Sequence, residues 1–232
     1  MTTVLLVRHG RTTANSSGVL AGWTSGVGLD DRGREQVRDL GLRLQAVPLA
    51  AVVSSPLQRC QETAQALVAG REGVVTQSDD RVGEVRYGDW TGQALKTLTK
   101  DPLWKAVQSH PSSVTFPGEG GEGMAAMQSR AVAAVRQWNH DLGPEATYAV
   151  VSHADVIKAI LADALGMHLD QFQRIVVDPA SLSVVRYSPL RPFVERMNDG
   201  GAPVTGLVPP KRRRSRKRSS DAVVGGGAGA GR

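Results

Sequence analysis

An apolar run that ends on a histidine occurs twice in this chain, and that repetition constrains the fold more than any other feature. The first is Val4-Leu5-Leu6-Val7 running into Arg8-His9-Gly10; the second is Tyr148-Ala149-Val150-Val151 running into Ser152-His153. Short apolar runs of this kind read as strands buried on both faces, as in parallel sheets, and are far too short to span a membrane. Parallel pairing carries both histidines to one sheet edge. In open α/β sheets, ligands sit beyond the carboxyl ends of the strands. A single histidine there reads as a strand cap; two at one edge, beside arginines and a carboxylate, read as a site.

The segments between these runs alternate. Residues 16–28 are rich in glycine and serine and read as a loop. Asp30-Asp31 opens a helix with Val37, Leu40, Gly41 and Leu44 on one stripe. Ala51-Val52-Val53 is a second strand. Ser55-Pro56 then reads as a helix start, a serine cap followed by proline at the first helical position. Leu57, Cys60, Ala64 and Leu67 share a face of that helix, which makes Cys60 a core residue. Residues 74–76 form a third strand, 81–86 are extended, and 88–92 turn. Asp101-Pro102 opens a helix containing Leu103, Trp104 and Val107, and a proline- and glycine-rich loop covers 112–123. A long helix follows, whose Met124, Met127, Ala131, Val135, Trp138 and Leu142 form a packing stripe. Asp155 caps a helix running to Leu165, and residues 182–187 and 193–197 are strands. This order predicts a three-layer α/β/α sandwich around a mostly parallel sheet. The domain spans residues 1–200, and 201–232 form a basic, glycine-rich tail.

Charge location decides what the net charge of +6 means. From Val204 onward eight Lys and Arg face Asp221 alone, a balance of +7, so residues 1–203 carry 6 − 7 = −1. The basicity belongs to the tail. Residues 211–218 hold seven basic side chains but no aromatic ring to stack on bases, which argues against nucleic acid as the partner. The tail reads as a solvated extension, disordered over 211–218 and 225–231. One cysteine excludes an internal disulfide and any multi-cysteine metal site. Without a leader-like start or a spanning segment, the expectation is a cytoplasmic protein with no membrane contact. Oligomeric state is left open, a homodimer included.

The strand ends assemble a specific chemistry. His9, His153, Arg8, Arg59 on the first turn of the second helix, and Glu84 converge on one sheet edge. Two arginines offer fixed two-pronged donors that neutralise a phosphate dianion. Backbone N–H groups opening the helix after His153, at Ala154, add to this site. Guanidinium charges favour the neutral form of a nearby histidine, whose ring nitrogen is then a nucleophile toward phosphorus. A carboxylic acid beside phosphate has a raised pKa and can protonate the leaving alcohol. Two distant histidines without a third ligand argue against a metal, and no cofactor is required.

These residues carry a resemblance. Arg8-His9-Gly10-x-Thr12-x-x-Asn15, Ser54-Ser55-Pro56-Leu57-Gln58-Arg59-x-x-Glu62-Thr63-Ala64, Glu84 ahead of Tyr87-Gly88-Asp89-Trp90-Thr91-Gly92, and Val151-Ser152-His153 together resemble the histidine phosphatase superfamily, also called phosphoglycerate-mutase-like. The resemblance covers roughly residues 3–190. It implies that His9 is the phosphorylated nucleophile and that Arg8, Arg59 and His153 bind the transferring phosphate. It further implies Asn15 as a secondary contact, Glu84 as the acid–base, and no cofactor. The sequence departs from the family at Arg11, at Ala21 before Gly22, and at Ala154 after the second histidine. In the loop of residues 116–122, either Glu119 or Glu122 takes the family's glutamate position. Arg11, Thr12, Gly22 and Arg86 are candidate specificity residues.

Val85-Arg86-Tyr87 has the form seen in small-substrate phosphatases rather than the Arg-His-Tyr type segment of true mutases. The resemblance therefore implies a hydrolase acting on small phosphorylated metabolites. A mutase-type phosphotransferase and an idle binding domain that delivers a basic tail are the alternatives. Removal of the chain after Pro209 is expected to leave activity unchanged.

Overall fold

The computed structural model describes residues 1–201 and 224–227. Six strands form one sheet: β1 (Thr2–Arg8), β2 (Ala51–Ser54), β3 (Val75–Ser78), β4 (Thr147–Ser152), β5 (Leu182–Tyr187) and β6 (Pro192–Asp199). Their spatial order is β3-β2-β4-β1-β5-β6. The first four run parallel, while β5 pairs antiparallel with β1 and β6 antiparallel with β5. The α/β architecture with a mostly parallel sheet agrees with the alternation read from the sequence.

Strand alternation divides the apolar residues between two cores. Val4, Leu6, Val53 and Val150 face one side of the sheet; Leu5, Val7, Val52, Ala149 and Val151 face the other. The first core holds the stripe of α6 (Met124–Leu142) and α7 (Ala154–Ala164), with Trp104 and Val107 of α5 (Leu103–Ser109). The second holds Leu40 and Leu44 of α2 (Asp31–Leu44) and Cys60, Ala64 and Leu67 of α3 (Gln58–Val68). Helices on both faces make three layers.

Two short helices were not read from the sequence. α1 (Thr13–Ser17) is nucleated by a reciprocal cap, in which Thr12 accepts from the Asn15 amide while the Asn15 side chain accepts from the Thr12 amide. One turn of α4 (Leu95–Leu98) docks on Leu98. Neither is long enough to show a periodic stripe.

Two caps differ from expectation. Asp30 caps α2 as read, accepting from the Gly33 amide. Ser55 does not cap a helix: α3 begins at Gln58 after Leu57, which makes no side-chain cap bond, and the Ser55 hydroxyl turns toward His153. Asp155 likewise lies inside α7, whose cap position is His153; its carboxylate faces Tyr87 and Lys158. In both places a long-range partner is added: Ser55 keeps only a 3.4 Å bond from the Leu57 amide, and Asp155 accepts from Tyr87 as well as from Lys158. Among the described residues no helix is long and apolar enough to cross a membrane. Residues 211–218 lie outside the described residues. Gly225, Gly226 and Gly227 from the same expected disorder are described, and they are seated against Arg8.

Candidate active site

β1 and β4 are adjacent and parallel, with Arg8 opposite Ser152, so the next residue of each strand is a histidine. The His9 and His153 rings stand 5.2 Å apart, centroid to centroid, tilted by 60°. β2 ends beside β4 and delivers Ser55, whose hydroxyl lies 2.8 Å from His153 Nε2. Arg59 on the first turn of α3 reaches the same edge, and Glu84 arrives from the segment after β3.

His9 is fixed by its own backbone. Nδ1 lies 2.7 Å from the Gly10 carbonyl, so Nδ1 carries the proton and Nε2 keeps its lone pair. Burial, then the charges of Arg59 and Arg8, hold the ring well below the usual histidine range. Gly10 cannot carry a side chain, since a Cβ there would stand 2.7 Å from the Gly33 carbonyl and from Val37 Cγ1. Its amide donates to Thr63 Oγ1, which donates in turn to the Arg59 carbonyl, tying β1 to α3.

Arg59 Nη2 donates to the Gly22 carbonyl at 2.9 Å and lies 3.2 Å from His153 Nδ1. That contact makes Nδ1 an acceptor and places the ring proton on Nε2, toward Ser55. Burial and the Arg59 charge keep His153 neutral, well below its ordinary range. Arg59 Nη1 is buried with no hydrogen-bond partner among the described residues. An unpartnered buried guanidinium donor at a strand-end cavity is suited to an anion.

Glu84 is buried, and burial pushes its carboxyl up to about 7 despite the opposing Arg59 charge. One oxygen accepts from the Val85 amide; the other lies 3.6 Å from His153 Nδ1. The Glu84 carbonyl accepts from Trp23 Nε1 and from Arg130 Nη2. Arg130 also donates to the carbonyls of Arg81 and Gly83 and forks onto Glu122 at 2.6 and 2.8 Å. The Arg130–Glu122 pair thus clamps the backbone that carries Glu84. Glu122 is the loop glutamate that makes this clamp; Glu119 is exposed.

The cavity is lined by His9, Thr12, Asn15, Gly22, Arg59 and Glu84, closed at one side by Val224, Gly225 and Gly227. Its volume is about 20 Å³. Asn15 accepts from the Thr12 amide and hydroxyl, leaving its amide NH2 to offer a ligand. Two specificity candidates stand elsewhere. Arg11 pairs with Asp30 at 2.8 Å, and the Arg86 guanidinium stacks 4.0 Å over the Trp23 ring; neither lines the cavity. A larger groove of about 600 Å³ between α6 and α7 contains none of the site residues.

Sequence reasoning missed Ser55 as a site residue and missed Arg130. A serine two residues after an apolar strand was a usable signal, but the cap reading absorbed it. Arg130 has no local signal, because its partners lie 8 to 49 residues away.

The profile of the histidine phosphatase superfamily (branch 1) matches residues 4–200. Phosphoserine phosphatase 1 of Hydrogenobacter thermophilus is 29% identical over 205 residues, covering 85% of this chain and 92% of that one. The adenosylcobalamin/alpha-ribazole phosphatase of Escherichia coli is 27% identical over 185 residues, covering 78% of this chain and 87% of its own. Among solved structures, YhfR of Bacillus stearothermophilus aligns with a TM-score of 0.78 at 29% identity, covering 86% of this chain and 98% of that one. With a match across most of its length and an undisturbed set of strand-end residues, the chain belongs to the histidine phosphatase superfamily (branch 1) and is a histidine phosphatase.

Proposed function

We propose that the chain hydrolyses phosphomonoesters of small metabolites through a phosphohistidine on His9, without a cofactor. The observation that carries this is the state of His9: Nδ1 donates to Gly10 and Nε2 is an unprotonated nucleophile between two guanidinium groups. In the first displacement the Nε2 lone pair forms the N–P bond. The P–O ester bond breaks toward the alcohol oxygen, which takes the proton of Glu84. Arg8, Arg59 and Asn15 hold the charge that spreads over the phosphoryl oxygens, and His153, held between Arg59 and Ser55, positions the Arg59 guanidinium. In the second, the Glu84 carboxylate accepts a proton from water as its oxygen attacks phosphorus. The N–P bond breaks back to Nε2, and inorganic phosphate leaves.

The reading draws support from the raised Glu84 carboxyl, which carries its proton up to neutrality, and from the phosphatase names of similar proteins. Release of phosphate from an aryl phosphate should proceed in EDTA. It should fall by at least ~10³ in His9→Ala, the scale for losing a nucleophile that works in concert with its neighbours. Quenched reactions should yield acid-labile phosphate on His9. Chelator-sensitive turnover, or phosphate trapped on a serine, would refute the mechanism. Interconversion of 2- and 3-phosphoglycerate that depends on the bisphosphate would assign a mutase instead. A panel of phosphorylated metabolites then identifies the substrate.

A further inference from the structure

The most C-terminal described segment lies against Arg8, the arginine read above as a phosphate ligand. Val224–Gly226 form a single turn followed by Gly227, and Val224 is 2% exposed in the core beside α7. Arg8 Nη1 donates to the Gly226 carbonyl at 2.7 Å and Nη2 to Gly227 at 2.7 Å and Gly225 at 3.1 Å. Among the described residues one other partner, the Val177 carbonyl, shares that guanidinium. From the other side, the Gly225 amide donates to Asp155 Oδ2 at 2.8 Å, the oxygen that also accepts from Tyr87. The segment is a strap, held by one cation, one carboxylate and one buried valine.

Its sequence is what lets it fit. Gly225, Gly226 and Gly227 have φ of 71°, 73° and 50°, a left-handed run that only glycine adopts cheaply. A Cβ on Gly226 would stand 2.1 Å from the Ala154 Cβ and 3.1 Å from Arg8 Nη1. Three successive carbonyls therefore converge on one guanidinium, giving it the ring of oxygens that a phosphoryl group would otherwise provide. The strap also leaves a cavity of about 20 Å³, room for little more than a water.

We propose that Val224, Gly225, Gly226 and Gly227 act as an internal competitor that occupies the Arg8 side of the phosphate site and must leave before substrate enters. This rests on the reading of Arg8 as a phosphate ligand. Carbonyl oxygens are neutral and phosphate is a dianion, so phosphate wins on charge, while the strap gains from belonging to the same chain. Docked and undocked forms are the two states, and only the undocked form binds substrate. Apparent affinity then falls by the undocked fraction, a factor of ~10 where that fraction is about one tenth. On this proposal, a chain ended at Pro209 should bind substrate more tightly than the full chain, contrary to the expectation that removal of the residues beyond it leaves activity unchanged.

Two variants test it: a chain ended at Val223, which keeps the basic residues 211–218, and full-length Gly226→Val, which keeps everything but the fit. Calorimetry with inorganic phosphate and steady-state hydrolysis of an aryl phosphate are compared with the parent, together with amide exchange at Gly225. Both variants should bind phosphate ~10-fold more tightly and lower KM by a similar factor at nearly unchanged kcat. In the parent, the Gly225 amide should be protected from exchange and lose protection as phosphate is added. Equal phosphate affinity in all three chains, or a Gly225 amide exchanging at the free-chain rate without phosphate, overturns the proposal. So does weaker binding in the variants, which would make the strap part of the site. A protected Gly225 amide with no phosphate binding by any chain would overturn the phosphate-site reading of Arg8 and the competition with it. Tight binding indifferent to the strap overturns the competition alone.

Discussion

Glu84 and His153 stand 3.6 Å apart, but their charges do not form an ion pair, because burial and Arg59 keep the ring neutral while burial keeps the carboxyl protonated toward neutrality. In the proposed reaction the proton for the leaving group therefore sits on Glu84. Hydrolysis of an alkyl phosphate should decline above about pH 7 as that proton is lost. Glu84→Gln should lower kcat ~10²–10³-fold for an alkyl phosphate and less for an aryl phosphate, whose alcohol leaves more readily. The same shift has a stability consequence of definite sign. A carboxyl whose folded pKa is raised makes the native state hold its proton longer, so stability is full below the unfolded value and declines as pH rises to about 7. Relative to the parent, Glu84→Gln should gain roughly 1–3 kcal/mol between pH 4.5 and pH 8 in denaturant titrations. A difference that does not move with pH would mean an unshifted carboxyl.

At the scale of elements, what the sequence made legible was whatever a single strand or helix states for itself. Val4-Leu5-Leu6-Val7 and Tyr148-Ala149-Val150-Val151 announced their strands, and strand ends announced His9 and His153. The α6 stripe of Met124, Met127, Ala131 and Val135 is buried as its spacing required. What stayed hidden was set between elements: Ser55 turned from cap to His153 partner, and Arg11 and Arg86 were drawn to Asp30 and Trp23. The Arg130–Glu122 clamp is of the same kind. Arg130 holds the backbone of the Glu84 segment, so it is a positioning residue, and its loss should show in Glu84's titration. Arg130→Ala should cost about 1–3 kcal/mol, from a partly buried pair left without one partner. It should also reduce kcat ~10-fold or more while moving the alkaline limb of the pH–rate profile. Arg130→Lys, a point charge without the fork, should recover stability better than the profile. A stability loss with an unmoved profile would make the clamp merely structural.

The whole molecule couples these pieces because the sheet is one body. β1 lies at its centre, between β4 and β5, and its end carries both Arg8 and His9. Anything that binds there stabilises the entire fold by linkage, since an unfolded chain has no such site. The alternation of strands and helices read from the sequence brings His9 and His153 to one sheet edge, because parallel topology leaves the strand ends little choice. The docking of residues 224–227 was illegible for the opposite reason: a run of glycines has no periodicity, and its partner Arg8 is more than 200 positions away. Linkage gives a measure of the site that needs no substrate. At a vanadate or phosphate concentration 100 times its Kd, native stability should rise by about 2.7 kcal/mol, roughly 5–10 °C in Tm for a domain of this size. Arg59→Ala, which removes the unpartnered Nη1 donor, should abolish most of that rise. Arg11→Ala should keep it, losing only its pairing with Asp30, worth under about 1 kcal/mol at a partly exposed site. An undiminished rise in Arg59→Ala would place the anion elsewhere, with the residues 211–218 as the first candidates for non-specific attraction. Scanning at several salt concentrations separates the two, because attraction to exposed charges is screened within about 10 Å at 0.1 M salt while a buried guanidinium is screened far less.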